Sequence, residues 1–210
     1  MSKYAVVGRG FLGKALAEKL GDVSYFPEPT TQKLFYMGGP THPDFDKNPD
    51  YWEIKYMTEF AVLRDYCKKH GIKFIYASSA LVYEDKPFGK FKKFLESIAG
   101  EGTLGLRIFP VTGPGGHTVI EEWREDIAIG KQPVVWGDGT QTRDFILIEE
   151  AIKQIIEKSD MVGTVDIGLG EPITFNRIIE NINGEYGTNI KPKYIPAPEG
   201  YIINGVKANG

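Results

Sequence analysis

Cysteine is almost missing from these 210 residues: Cys67 is the single one. No internal disulfide can form, and a reducing compartment is expected. Its neighbours read as helical, which makes it a buried or half-buried structural thiol. Histidine is equally sparse. His42, His70 and His117 are scattered without ligand-like spacing, so no metal site is expected. No apolar run exceeds strand length, and no segment spans a bilayer. Met1-Ser2-Lys3-Tyr4 passes at once into an apolar strand and a glycine-rich turn, without the apolar core and cleavage site of a signal peptide. A cytoplasmic protein is expected, with no membrane partner. An excess of positive charge is also lacking. The net charge is −3, so no global basic field favours nucleic acid. Internal repeats, linkers and low-complexity runs are absent too.

What is present is ordinary for a globular protein. Apolar residues make up 41% and charged residues 25%, enough for one sizeable core. Short β-rich runs alternate with helical periodicity. Strands are expected at 3–7, 23–26, 34–37, 72–77, 104–109, 134–135, 164–167 and 194–195. Helices are expected at 11–20, 49–70, 90–99, 119–129, 145–157 and 175–186. Gly71 is a natural stop for the long helix, whose inner face is expected near Tyr51, Ile54, Met57, Ala61 and Cys67 or Tyr66. This order is that of an α/β protein with a largely parallel sheet. The tail after Ile195, rich in Pro, Gly and Asn, has little power to fold alone.

Gly8-Arg9-Gly10-Phe11-Leu12-Gly13 follows the first strand and opens the first helix. It is a G-x-G-x-x-G turn. The first glycine permits the tight turn, the second lets backbone approach a pyrophosphate, and the third lets helix and strand pack closely. The N–H groups at the helix start, from Phe11 and Leu12 onward, then face the phosphates along the helix dipole. Arg9 adds charge against a phosphate or is solvated. The same fingerprint expects an acid near the end of the second strand for the ribose hydroxyls. Glu28 stands there, and a carboxylate at that point favours NAD over NADP. The alternative is a solvated loop glutamate between two prolines.

Ser78-Ser79-Ala80-Leu81-Val82-Tyr83 follows the strand ending near Ala77, and Pro87-Phe88-Gly89-Lys90-Phe91-Lys92 comes soon after. Here the chain resembles the extended short-chain dehydrogenase/reductase family, in particular the NAD-dependent nucleotide-sugar epimerases. That family carries S-S-A-x-V-Y-G and then P-Y-G-x-S-K. Three further blocks match in order: Leu106 to Gly115 resembles L-R-x-F-N-x-x-G-P-G, Trp136 to Ile146 resembles y-G-D-G-x-Q-x-R-D-F-I, and Asp166 to Thr174 resembles N-I-G-x-G-E-P-x-T. The resemblance implies a Rossmann-type, doubly wound, mainly parallel sheet with a small C-terminal substrate-binding portion. On that reading residues 1–110 form the dinucleotide-binding part. Residues 111–210 complete the sheet and supply the substrate part.

The implied chemistry is transient oxidation at a sugar carbon. In the family a tyrosine takes the hydroxyl proton while hydride passes to NAD, the lysine four residues on depresses the tyrosine pKa and holds the nicotinamide ribose, and a serine bonds the reacting oxygen. By position Ser79 is the serine, Lys92 the lysine, and Phe88 stands where the tyrosine belongs. Phenylalanine cannot exchange a proton. Tyr83 matches the family's other, structural tyrosine. Gly38 and Gly39 match small residues beside the cofactor, and Arg143 matches an arginine that pairs with the sugar-nucleotide diphosphate of a UDP- or dTDP-sugar. Gly113 to Gly116 is expected to shape the substrate cleft, and Trp136 to lie in the core. Ala80-Leu81 lacks the Asp-Glu pair of the family's dehydratases, so epimerase- or reductase-like chemistry fits better.

The chain also departs from the family. It is shorter, with only residues 27–33 where a further helix and strand usually help enclose adenine. Pro110 replaces an asparagine, and Lys55-Tyr56-Met57 replaces an asparagine-containing segment. Homodimers through the two helices holding 51–70 and 90–99 are common in the family. Two functions follow: a nucleotide-sugar epimerase or keto-sugar oxidoreductase impaired by Phe88, or a catalytically silent binding or scaffold protein on the same fold.

Overall fold

The computed structural model describes residues 2–198, 201 and 205–209. Two compact units emerge, residues 1–108 with 149–167, and residues 109–148 with 168–210.

The first unit is built on six parallel strands: β1 (Tyr4–Val7), β2 (Val23–Ser24), β3 (Lys33–Tyr36), β4 (Lys73–Ser79), β5 (Leu104–Ile108) and β10 (Gly163–Ile167). Their spatial order is β10-β5-β4-β3-β1-β2. Parallel strands are covered on both faces and therefore read as continuous apolar runs. Leu34, Phe35 and Tyr36 in β3 and Phe74, Ile75 and Tyr76 in β4 are all buried. The strand order reverses between β1 and β3, which is where open α/β sheets bind ligands, outside the carboxyl ends of the strands.

Helix α1 (Phe11–Leu20) follows the glycine turn, and α3 (Pro49–His70) and α4 (Pro87–Ile98) cover the sheet. α6 (Ile148–Glu157) begins at the edge of the second unit and leads to β10. The inner face of α3 differs from the sequence expectation. Tyr56, Phe60 and Cys67 are buried, whereas Tyr51, Ile54 and Met57 are exposed. The helix carries apolar residues on both faces, so its periodicity does not single out the one that packs. Burial pushes the Cys67 thiol up to about 12, as fits an inert structural cysteine.

Other elements are absent from the sequence reading. A short helix α2 (His42–Lys47) precedes α3, with Phe45 fully buried. β4 runs on through Ser79 into a 3₁₀ turn, Ala80–Tyr83, and α4 begins at Pro87 rather than Lys90. Proline at the first helical position explains that earlier start. β2 is only two residues long, and residues 25 and 26 lie outside it.

The second unit holds α5 (Val119–Ala128), α7 (Phe175–Tyr186) and three two-stranded pairings. β6 (Val111–Thr112) pairs with β9 (Ile146–Leu147), β7 (Val134–Trp136) with β12 (Lys193–Ile195), and β8 (Thr142–Arg143) with β11 (Ile173–Thr174). Ile120, Trp123, Ile127, Val135, Phe175 and Ile178 form its core. A capping box at Thr118 and Glu121 starts α5. The tail packs back: Ala208 is buried, and its N–H donates to Asp144 Oδ2 at 2.8 Å.

Gly89 is the tightest contact between α4 and the 3₁₀ turn. A Cβ there would collide with the Leu81 carbonyl. Gly89→Ala is therefore expected to destabilise the protein by about 2–4 kcal/mol. Urea unfolding checks this, and a change under about 0.5 kcal/mol would contradict the packing.

Candidate active site

The glycine turn has the geometry its three roles require. Gly8 has φ +109°, a conformation side chains resist, and a Cβ on it would press on the backbone of Met37 and Gly38. A Cβ on Gly13 would strike the Gly8 carbonyl, so α1 sits directly on the turn. Gly10 faces open space, with nothing within 4 Å of its Cβ position. That is the opening a pyrophosphate needs, with Phe11 and Leu12 starting α1 behind it. A cavity of about 290 Å³ is lined by Gly8, Gly10, Gly38, Gly39, Tyr56 and Glu59, among others. A second, of about 360 Å³, is lined by Gly8, Arg9, Gly13, Lys14, Glu18 and Tyr25, among others. The residues present fit a dinucleotide.

Gly38 and Gly39 have a second reason to lack side chains. A Cβ on either would run into the Tyr36 or Tyr56 ring. Those rings stack at 5.1 Å, and the Tyr36 hydroxyl donates to Glu59 Oε2 at 2.9 Å. Glu28 is exposed on a turn where its N–H donates to Thr31 Oγ1, and it lines neither cavity.

Phe88 and Lys92 share one face of α4, as four-residue spacing dictates, and both are buried. The Lys92 ammonium donates to the Ala77 carbonyl at 3.0 Å and to the Tyr56 hydroxyl at 3.2 Å. It lies 4.3 Å from the Tyr56 ring centroid and 5.5 Å from that of Phe88. Burial pushes its pKa down to about 7, against a partial upward pull from Glu96. Phe88 packs at 5.3 Å from Phe45 and 5.8 Å from His42. Phe88 is thus part of an aromatic core. Burial also raises the Tyr56 pKa well above the phenol range, so this hydroxyl stays protonated.

Ser79 ends β4 half-buried, and its hydroxyl accepts from the Leu81 N–H at 3.2 Å. Beside it, Ser78 donates to Glu96 Oε1 at 2.6 Å. Arg107 holds the same carboxylate with two bonds of 3.0 and 2.8 Å and donates to the Tyr83 hydroxyl at 2.9 Å. Tyr83 donates in turn to Asp166 at 2.8 Å. Tyr83 is therefore a structural hub joining β5 to β10. Sequence reasoning missed Glu96, whose only signal is its position four residues after Lys92.

Arg143 lies in the second unit. Its Nη1 donates to the Thr142 carbonyl at 2.7 Å, and its guanidinium lies 5.6 Å from the Phe175 ring and 5.5 Å from that of Tyr201. Trp136 is 47% exposed, so it is a wall and not core. It meets Tyr201 edge-on at 5.5 Å, and the two line a cavity of about 500 Å³ with Tyr194, Gly137 and Asp138. Asp144, beside Arg143, accepts from the N–H groups of Leu169, Gly170 and Ala208. Glu121 accepts from the Gly113 N–H at 2.8 Å and from Thr112 and Thr118, anchoring the Gly113–Gly116 loop. The chain's acids thus act as loop clamps here. Among the described residues no cluster of His, Cys, Asp and Glu could hold a metal ion, and no helix is long and apolar enough to cross a membrane.

The model of the NAD dependent epimerase/dehydratase family matches residues 90–162. The ADP-L-glycero-D-manno-heptose-6-epimerase of Alkalilimnicola ehrlichii is 25% identical over 190 residues, 70% of this chain and 59% of that protein. An uncharacterised UDP-glucose epimerase of Bacillus subtilis is 29% identical over 161 residues, 60% of this chain and 50% of that protein. The chain thus spans little more than half the length of these relatives. Among solved structures, the UDP-N-acetylglucosamine 4-epimerase of Methanobrevibacter ruminantium, in complex with UDP-N-acetylmuramic acid, superposes with a TM-score of 0.86. It is 23% identical, over 99% of this chain and 89% of that one. The UDP-glucose 4-epimerase of Thermus thermophilus, in complex with NAD, gives 0.80 at 15% identity, over 98% and 89%. These likenesses show the Rossmann-type epimerase fold.

A buried lysine whose pKa falls from 10.5 to about 7 leaves a mark on stability. Below the lower value both folded and unfolded chains hold the proton. Between the two values only the unfolded chain holds it, so this group makes stability rise with pH through that window. Urea unfolding from about pH 6.5 to 9.5 is expected to show wild type gaining on Lys92→Met by on the order of a few kcal/mol. Parallel curves for the two proteins would contradict this.

Proposed function

We propose that the chain is a member of the NAD dependent epimerase/dehydratase family, of extended short-chain dehydrogenase/reductase type, and that it binds a nicotinamide dinucleotide at the Gly8–Gly13 turn and a nucleotide sugar in its second unit. The reaction class is nucleotide-sugar epimerisation or keto-sugar redox. A bound nicotinamide ring supplies the hydride acceptor for a sugar carbinol. The observation that carries the reading is the buried Lys92 under the Phe88 ring, in the same unit as the glycine turn.

Each residue has a role within it. Gly8, Gly10 and Gly13 give the turn, the opening and the close packing. Ser79 bonds the reacting oxygen. Arg143 pairs with the diphosphate, steadied by Tyr201 and Phe175. The cavity beside Trp136 and Tyr201 suits a planar base. UDP is the favoured nucleotide, since UDP-sugars are bound by several similar structures. The apolar residues left exposed on α3, Tyr51, Ile54 and Met57, support the homodimer that the resemblance implies.

Phe88 withholds the proton acceptor. Hydride loss from the sugar requires its hydroxyl proton to leave, and neither Phe88 nor the buried Tyr56 takes it. Turnover is therefore expected to be weak. A second reading, a silent binding protein on this fold, draws on the packing of Phe88 against Phe45 and His42. The test is to incubate wild type and Phe88→Tyr with dinucleotide and UDP-glucose or UDP-N-acetylglucosamine and to follow epimer formation. A gain of about a hundred- to ten-thousandfold in the variant is expected. Brisk turnover by wild type, unchanged in Phe88→Tyr, would overturn the role given to position 88. No turnover by either, with dinucleotide bound, would favour the silent protein.

A further inference from the structure

The adenosine side of the glycine turn differs from a site built for a bare ribose. A dinucleotide fold selects NAD with a carboxylate at the end of the second strand, which bonds the ribose 2′-hydroxyl and repels a 2′-phosphate. A nearby arginine instead accommodates that phosphate. β2 ends at Ser24 and is followed by Tyr25-Phe26-Pro27. The first acid beyond the strand is Glu28, exposed and outside the lining of the adjoining cavity.

Cations occupy the place of the missing acid. The cavity of about 360 Å³ beside the turn is lined by Arg9 and Lys14, with Glu18 as its one acid. The Arg9 guanidinium carbon lies over the half-exposed Tyr25 ring, 3.8 Å from its centroid. That cation–π contact restrains the guanidinium beside the ring and consumes none of its N–H donors. Among the described residues Arg9 has no carboxylate partner. A guanidinium held in place with unused donors is matched to a phosphate monoester. Lys14, one turn along α1 from Gly10, adds a second positive charge to the same wall.

We infer that the dinucleotide site is built for a 2′-phosphorylated adenosine, so that NADP⁺ binds more tightly than NAD⁺, with Arg9 as the specificity-determining residue and Lys14 in support. The inference rests on the dinucleotide reading above and refines it. Tyr25 acts as the platform that orients Arg9. The phosphate adds two negative charges that meet two cations and one carboxylate, so the preference weakens with salt.

The test is calorimetric titration of wild type, Arg9→Ala and Tyr25→Ala with NADP⁺ and with NAD⁺, at low and high salt. Both substituted positions are on the surface, so folding is retained. Wild type is expected to bind NADP⁺ at least roughly ten-fold more tightly than NAD⁺ at low salt, as charge-assisted bonds to one phosphate provide. Arg9→Ala is expected to lose most of that ratio while NAD⁺ affinity changes less than about two-fold, and Tyr25→Ala to lose part of it. Equal or tighter binding of NAD⁺ by wild type would overturn the inference and leave the dinucleotide reading standing. Loss of both affinities together in Arg9→Ala would also overturn it. Failure of both dinucleotides to bind folded wild type would overturn the inference and the dinucleotide reading together.

Discussion

A buried ammonium ties the first unit together. Lys92 reaches from α4 to the Ala77 carbonyl on β4 and to the Tyr56 hydroxyl on α3, so one cation bridges the sheet and both helices that cover it. Removing a charge from water is expensive, and the protein meets that cost with two acceptors, two aromatic faces and a pKa lowered to about 7. The arrangement needs Tyr56 inward, which in turn needs Gly39 without a side chain. It also needs Phe88 and Phe45 to close the cluster from the other side. Much of the unit follows from where this nitrogen sits.

The same constraint shapes the chemistry. In the catalytic pair that the proposed reading implies, the lysine serves a phenol that can ionise. Here Lys92 faces a phenol that burial keeps protonated, and the residue one turn earlier carries no hydroxyl at all. The fold retains the positions and changes what they offer. At the far edge of the sheet the change is one of extent. β2 is a two-residue edge strand, and residues 27–32 make a turn where the family resemblance calls for a further helix and strand. The cations of Arg9 and Lys14 and the ring of Tyr25 line the cavity proposed to take the adenosine.

The sheet and the glycine turn were readable in the sequence because their signals are local. Four-residue apolar runs at 4–7 and 34–37 have few alternatives, and G-x-G-x-x-G between a strand and a helix has a mechanical reason for each glycine. Other features depended on packing that no local pattern encodes. The inner face of α3 was misread because Tyr51, Ile54 and Met57 are as apolar as Tyr56 and Phe60, and only the sheet decides between the two stripes. α2 was missed because six residues after a Gly-Gly-Pro turn look like loop, although Phe45 is wholly buried. Trp136 looks like core to any hydrophobicity argument, yet it lines an open cavity. Glu96 and Asp144 bind donors brought from far along the chain, so their roles exist only in three dimensions.

The protonation state of one nitrogen decides most directly whether the core closes over Lys92. Following the side-chain carbon resonance beside Lys92 Nζ against pH, with Lys92→Met for assignment, reports its titration in the folded protein. A midpoint near 7 is expected, against the usual 10.5 for lysine. A midpoint at the ordinary lysine value would mean that the ammonium is solvated, that Tyr56 and Phe88 do not close over it, and that the inner face of α4 is open to water.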